Sequence, residues 1–383
     1  MKKILFILSV SLINLMTIEA QDYAKVIAKD SLKQYNGSKN FYEVKSYNDQ
    51  STTQKPTNVI FMIGDGMGVA QIYAGMTANK GHLFLNNFKH IGFSLTYSSE
   101  DYITDSAAGG TAMACGVKTY NAAIGVDNDK KPVKTILEKA VEKKMGTGLV
   151  STSAITHATP AAFIAHQPHR NMYEDIAADF LETDIDVFIG GGYDHFTKRK
   201  DGRNLVSELE KKGYIVLQDM HSIEHFNSGK LAGLTAPEHN ERVSVRKDML
   251  QTSTQTALNL LSQKKKGFFL MVEGSQIDWG GHANDITYIV EEMLDFDKAI
   301  GVVLEFAANN KNTLVIVTAD HETGGLTLNK GNMADGSMIA EFTTGSHTGV
   351  MVPVFAFGPG ANQFTGVMEN TDIPKKIEKL LGL

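Results

Sequence analysis

A single cysteine, Cys115, stands in a chain of 383 residues. It excludes an intrachain disulfide and any zinc site built from several thiolates, so a metal here must be held by oxygen and imidazole. Basic residues are not in excess: 37 Lys and Arg face 43 Asp and Glu, a net charge of −6. That balance excludes a broad basic surface for nucleic acid, and leaves room for a local positive site toward a small charged substrate. Eight prolines against 35 glycines mark a flexible chain. Long apolar runs are lacking too. The one candidate, 4–16 after Lys2 and Lys3, is too short to favour a bilayer span. With the small-residue site at Ile18-Glu19-Ala20 it reads as an export signal over 1–20, removed after Ala20, which places the mature protein in the periplasm or outside the cell. No membrane span is then left.

What is present is an α/β alternation. Residues 21–56 read as a linker and a loose helical arm, and 57–383 as the main domain. Val59 to Ile63 form a continuous apolar run, suited to a strand buried on both faces, followed by Gly64-Asp65-Gly66-Met67-Gly68 and a helix over 69–79. Strands are expected at 91–97, 147–151, 186–190, 214–217 (at the sheet edge), 267–272, 313–318 and 351–357. Helices are expected at 106–115, 135–144, 173–182, 204–212, 247–265, 285–310 and 371–381. The segment 221–246 is poorly patterned and reads as surface structure, and 326–345 as an inserted loop. Strand, glycine turn and helix in repetition predict a mostly parallel sheet.

Three of the apolar runs lead into an acid: Asp65, Glu273 and Asp320. Ligands bind beyond the carboxyl ends of parallel strands, so these carboxylates converge on one edge and need cations or protons to neutralise them. One acid after a strand is a turn residue or a cap; three, each beside glycine or histidine, favour a metal site. Asp278 and His282 lie four apart, on one helical face or across a tight loop, with His321 and His347 in reach as further ligands. Mixed Asp and His ligation suits zinc, whereas Glu273 with hydroxyl and water suits magnesium. Ser106 follows Asp105 and precedes small residues where a helix begins, which suits either a plain helix cap or a hydroxyl presented to an anion. Arg170, one of five arginines, offers a planar fork for two phosphate oxygens or for a surface carboxylate.

Together, Thr104-Asp105-Ser106-Ala107-Ala108, Gly64-Asp65-Gly66-Met67-Gly68, His157-Ala158-Thr159-Pro160-Ala161-Ala162, Glu273-Gly274-Ser275-Gln276-Ile277-Asp278 and Thr318-Ala319-Asp320-His321-Glu322-Thr323 resemble the alkaline phosphatase family, in its order and over roughly 58–357. The resemblance implies a three-layer α/β/α sandwich, with a central mostly parallel sheet and a small surface insertion, a reduced crown. It implies hydrolysis of phosphate monoesters of broad range at alkaline pH, by a homodimer, through a phosphoserine on Ser106. Asp278, His282 and His347 would hold one zinc, and Asp65, Asp320 and His321 a second. Asp65, Thr159 and Glu273 would hold magnesium, and Arg170 the phosphate oxygens of substrate or of inorganic phosphate. Two positions depart from many relatives: Trp279 stands where lysine or histidine is common, and His157 where some have aspartate, both expected beside the magnesium. A phosphodiesterase on the same fold and a non-catalytic phosphate- or metal-binding protein are the competing readings. A sulfatase is disfavoured, because Ser106 is not followed by Pro and Arg.

Overall fold

The computed structural model describes residues 30–38, 41–49 and 55–383. The expected export signal and part of the 21–56 arm lie outside the described residues. Ten strands make the main sheet. In chain order they are β1 (Asn58–Gly64), β2 (His90–Leu95), β3 (Gly146–Ala154), β4 (Val187–Gly191), β5 (Tyr214–Leu217), β6 (Lys230–Leu234), β7 (Phe268–Gly274), β8 (Thr313–Thr318), β9 (Val352–Phe357) and β10 (Gly366–Glu369). Across the sheet they run β10-β2-β9-β8-β1-β7-β3-β4-β6-β5. Only β9 opposes its neighbours, β2 and β8; the other pairings are parallel.

The central strands β1, β7 and β8 are buried along their whole length, as their unbroken apolar runs require. Alternate side chains leave a strand on opposite faces. Val59, Phe61 and Ile63 therefore join one core with Ile136, Ile176, Leu205 and Ile373 from the helices of one layer. Ile60 and Met62 join the other core with Ile72, Leu250 and Ile289 from the second layer. Each such side chain contributes roughly 1.5–3 kcal/mol by leaving water. The result is the expected three-layer sandwich.

Three segments differ from expectation. Residues 326–345 are not a loop but chiefly a hairpin, Leu326–Asn332 against Ser337–Phe342. Its second strand alternates, burying Met338 and Ala340 only, and its turn is closed by Asn332 and Asp335 side chains on the Ala334 and Ser337 N–H groups. The short strand Gln34–Asn36 adds to this hairpin, where the sequence suggested a helical arm; one 3₁₀ turn, Asp30–Lys33, precedes it. The weakly patterned 221–246 contains β6, a Lys-Leu-Ala-Gly-Leu strand inserted between β4 and β5. Small residues suit it, since a Cβ on Gly233 would lie 3.0 Å from Ile189. The strand at 214–217 does sit at the sheet edge, as expected.

Candidate active site

Parallel strands deliver the acids to one edge. Asp65 follows β1, Glu273 lies near the end of β7, and Asp320 and His321 follow β8. The Asp65 N–H donates to the Gly274 carbonyl at 3.1 Å, tying the two adjacent strand ends together. Gly66 then turns with φ +72°, and a Cβ there would lie 2.6 Å from the Asp278 Cα. Asp278 and His282 share one face of the helix Gln276–His282, which settles the choice left open by their spacing. That helix is squeezed from both sides: a Cβ on Gly280 would meet Ile289, and one on Gly281 would meet Thr323.

Ser106 is the first residue of the helix Ser106–Cys115, and Asp105 is its N-cap. Asp105 fills the cap role, which leaves the Ser106 hydroxyl free of it. Asp105 Oδ1 accepts from the Ala108 N–H at 2.9 Å, while Oδ2 accepts from the Ala122 N–H at 3.0 Å and from Arg170 Nη1 at 2.9 Å. One carboxylate thus closes the helix end and aims the arginine. The Ser106 Oγ lies 3.2 Å from His321 Nε2. The small residues after it let the helix pack closely against the site walls. A Cβ on Gly109 would lie 3.2 Å from the Asp320 Cβ, and one on Gly110 would lie 3.4 Å from the Thr159 Cα.

Three groups of ligand atoms converge, each within 4.8 Å: Asp278, His282 and His347; Asp65, Asp320 and His321; and Asp65, His157 and Glu273. In the first, His282 Nδ1 donates to the Gly345 carbonyl and His347 Nδ1 to the Thr104 carbonyl, each at 2.8 Å. Those bonds place a proton on each Nδ1 and turn the two Nε2 atoms toward each other, 3.2 Å apart, where they could serve an ion. In the second, His321 Nε2 lies 3.2 Å from Asp320 and 3.4 Å from Asp65. In the third, Glu273 Oε2 accepts from Ser151 at 2.5 Å and Ser275 at 2.7 Å. The Thr159 hydroxyl is buried with no hydrogen bond among the described residues. His157 Nε2 lies 3.3 Å from Arg170 Nη2. A guanidinium only donates, so His157 accepts there and carries its proton on Nδ1.

The donor set fits cations. Both oxygens of Asp65, Oδ2 of Asp320 and Oε1 of Glu273 are buried with no hydrogen bond among the described residues. Burial, with the neighbouring carboxylates, holds the Asp65 carboxyl well above its ordinary range and lifts Asp320 to about 8. Burial raises Glu273 in the same direction. Asp278 goes the other way: burial opposes its charge, but His282, His347 and His321 outweigh it, and Asp278 lifts His282 to about 9 in return. Burial lowers His157, His321 and His347, keeping them neutral. Arg170 is raised, because Asp105 more than offsets its desolvation. Buried carboxylates so crowded are what bound metal ions relieve.

The candidate site residues named from the sequence gather at this centre, and four partners were missed. Thr323 donates to Asp278 and lies 3.2 Å from His321 Nδ1. Ser151 and Ser275 hold Glu273. Positions two after His321 and two after Glu273 were legible signals for Thr323 and Ser275. His239 had none, since it lies in the weakly patterned segment. It accepts from the Ala154 N–H at 3.0 Å and packs edge-on to Trp279, centroids 5.1 Å apart. Trp279 also meets His157 edge-on at 6.2 Å.

A sequence model of the alkaline phosphatase family matches residues 56–341 and 329–383. The chain belongs to the alkaline phosphatase family. It is 36% identical to alkaline phosphatase 3 of Bacillus subtilis, over 85% of this chain and 88% of that protein. It is 32% identical to the alkaline phosphatase of Escherichia coli, over 87% and 88%. Among solved structures, that of the alkaline phosphatase from the Antarctic bacterium TAB5 is 43% identical with a TM-score of 0.81, covering 86% of this chain and 99% of that one. Likeness over most of both chains assigns the family's enzyme activity, alkaline phosphatase, to this chain. No helix among the described residues is long and apolar enough to cross a membrane.

Proposed function

We propose that this protein hydrolyses phosphate monoesters through a phosphoserine on Ser106, at a centre that holds two zinc ions and one magnesium ion. The observation that carries this reading is the set of buried carboxylate oxygens of Asp65, Glu273 and Asp320 without a hydrogen bond among the described residues, gathered with the imidazoles beside the Ser106 hydroxyl. Asp278, His282 and His347 would hold one zinc, Asp65, Asp320 and His321 the other, and Asp65, Thr159 and Glu273 the magnesium. Ions bound there supply positive charge that lowers the pKa of a hydroxyl and neutralises a departing oxygen. The Ser106 Oγ attacks phosphorus and the ester oxygen leaves as the alcohol; water then attacks the phosphoserine and releases inorganic phosphate. Arg170 grips two non-bridging oxygens with its fork, and Asp105 keeps the fork aimed. His157, neutral and turned by the arginine, braces it from the magnesium side. Activity rises toward alkaline pH, as a hydroxyl nucleophile requires. The domain 57–383 acts as a homodimer in the periplasm or outside the cell, after removal of 1–20, on a broad range of monoesters.

The test compares a chromogenic monoester with the matching diester, on wild type and Arg170→Ala, after zinc and magnesium are restored to chelator-stripped protein. Arg170→Ala should lower monoester turnover on the order of 10²-fold, as loss of a preorganised donor does, and diester turnover by less, with metal content unchanged. Equal losses would remove Arg170 from the clamp. A wild type faster on the diester would sink the monoesterase reading.

A further inference from the structure

We propose that His221, Glu224 and His225 form a second, peripheral site for one divalent transition-metal ion, separate from the catalytic centre. The three residues lie on the short helix Met220–Glu224 and its C-cap, His225, at spacings of three and four that put them on one face. Their ligand atoms lie within 4.8 Å of one another, and all three residues are exposed. The imidazole centroids are 4.4 Å apart with planes tilted by 44°. His225 Nδ1 lies 2.8 Å from the His221 carbonyl, which can only accept. The proton is therefore on Nδ1, and Nε2 keeps its lone pair for an ion.

The scaffold under these ligands is fixed before any ion arrives. Asp219 caps the helix by accepting from the Ser222 N–H at 2.8 Å. Ile223 is fully buried, and its carbonyl accepts from the Thr256 hydroxyl at 3.3 Å. Binding then orders only side chains, which keeps its entropy cost low. No ion pair among the described residues engages His221, Glu224 or His225, and the Asp219 carboxylate near His221 adds negative potential. Two imidazoles and a carboxylate, completed by water, suit zinc, copper(II) or nickel(II) and disfavour magnesium, which prefers an octahedron of oxygens. The helix follows the edge strand β5, four strands from β7, roughly 20 Å at ~4.8 Å per strand. An ion there is therefore extra to catalysis, and zinc bound at saturation exceeds the zinc that supports turnover.

Untagged holoenzyme is titrated with zinc by equilibrium dialysis, with wild type beside His221→Ala/His225→Ala. Wild type should take up one zinc equivalent more than the double variant, with equal monoester turnover. Glu224→Gln should keep that equivalent at several-fold weaker affinity, and magnesium should not displace it. Equal uptake across the titration would overturn the site, and lost turnover in the double variant would overturn its separateness. Copper(II) added to zinc-loaded wild type and double variant gives a second readout: nitrogen hyperfine coupling in the electron paramagnetic resonance spectrum is expected in wild type beyond that of the double variant, and equal coupling in both would reject the imidazole ligands.

Discussion

Asp105 couples the serine to the arginine more tightly than its place in the sequence suggests. One of its oxygens serves the helix that begins at Ser106, and the other serves Arg170 and the Ala122 N–H. In Asp105→Asn the amide oxygen can still cap the helix, but the amide nitrogen would then face two donors. The expected result is a melting temperature close to wild type, with about tenfold weaker inhibition by inorganic phosphate, the worth of a charge-assisted bond misaligned by 1–2 kcal/mol. Unchanged inhibition would mean that Arg170 is aimed by something else. At this scale the sequence was most informative, because ligands are chemical types at fixed spacings. Trp279 shows where that information ran out. The resemblance places it beside the magnesium; in the fold it packs edge-on to His157, of the Asp65, His157 and Glu273 group, and to His239, which carried no pattern of its own.

At the scale of elements, the site is a set of strand ends and helix starts held at close approach. Gly66 is the tightest joint. Its φ of +72° strains any side chain, and a methyl would press on the backbone of Asp278 and on the Thr323 hydroxyl. Gly66→Ala should cost about 1–3 kcal/mol, from the left-handed backbone and overpacking. It should also lower zinc content at Asp278, His282 and His347, read by metal analysis beside a melting curve. Full zinc content with wild-type melting would show that the joint yields. The central strands and the long helix Ile286–Asn309 were legible because their apolar patterns are long and unbroken. The hairpin over Leu326–Asn332 and Ser337–Phe342 was not, because it is half exposed and rich in Gly and Asn. β6 was not, because a buried strand can be made of Ala and Gly when its neighbours leave no room for more.

For the whole molecule, the cost of the fold is concentrated in a buried cluster of like charges that metals relieve. Asp320 titrates near 8 in the metal-free protein because of burial and Asp278, against an ordinary carboxylate value of 3.8. Between those values the folded chain keeps a proton that the unfolded chain has lost, so stability falls as pH rises. Asp65 shifts in the same direction. Above the ordinary histidine value of 6.5, where the lowered His157, His321 and His347 no longer act in the opposite sense, the melting temperature of chelator-treated protein should therefore drop toward pH 8 and recover when zinc is restored. A flat profile without metal would contradict the electrostatic account. The central claim, that Ser106 is the nucleophile, has a more direct test. Wild type and Ser106→Ala are quenched in acid during turnover of a monoester carrying labelled phosphate, and the label is mapped to a peptide. The prediction is label on Ser106 in wild type, with no label and a turnover loss on the order of 10³-fold or more in the variant. Label on another residue, or near-normal turnover in Ser106→Ala, would contradict it.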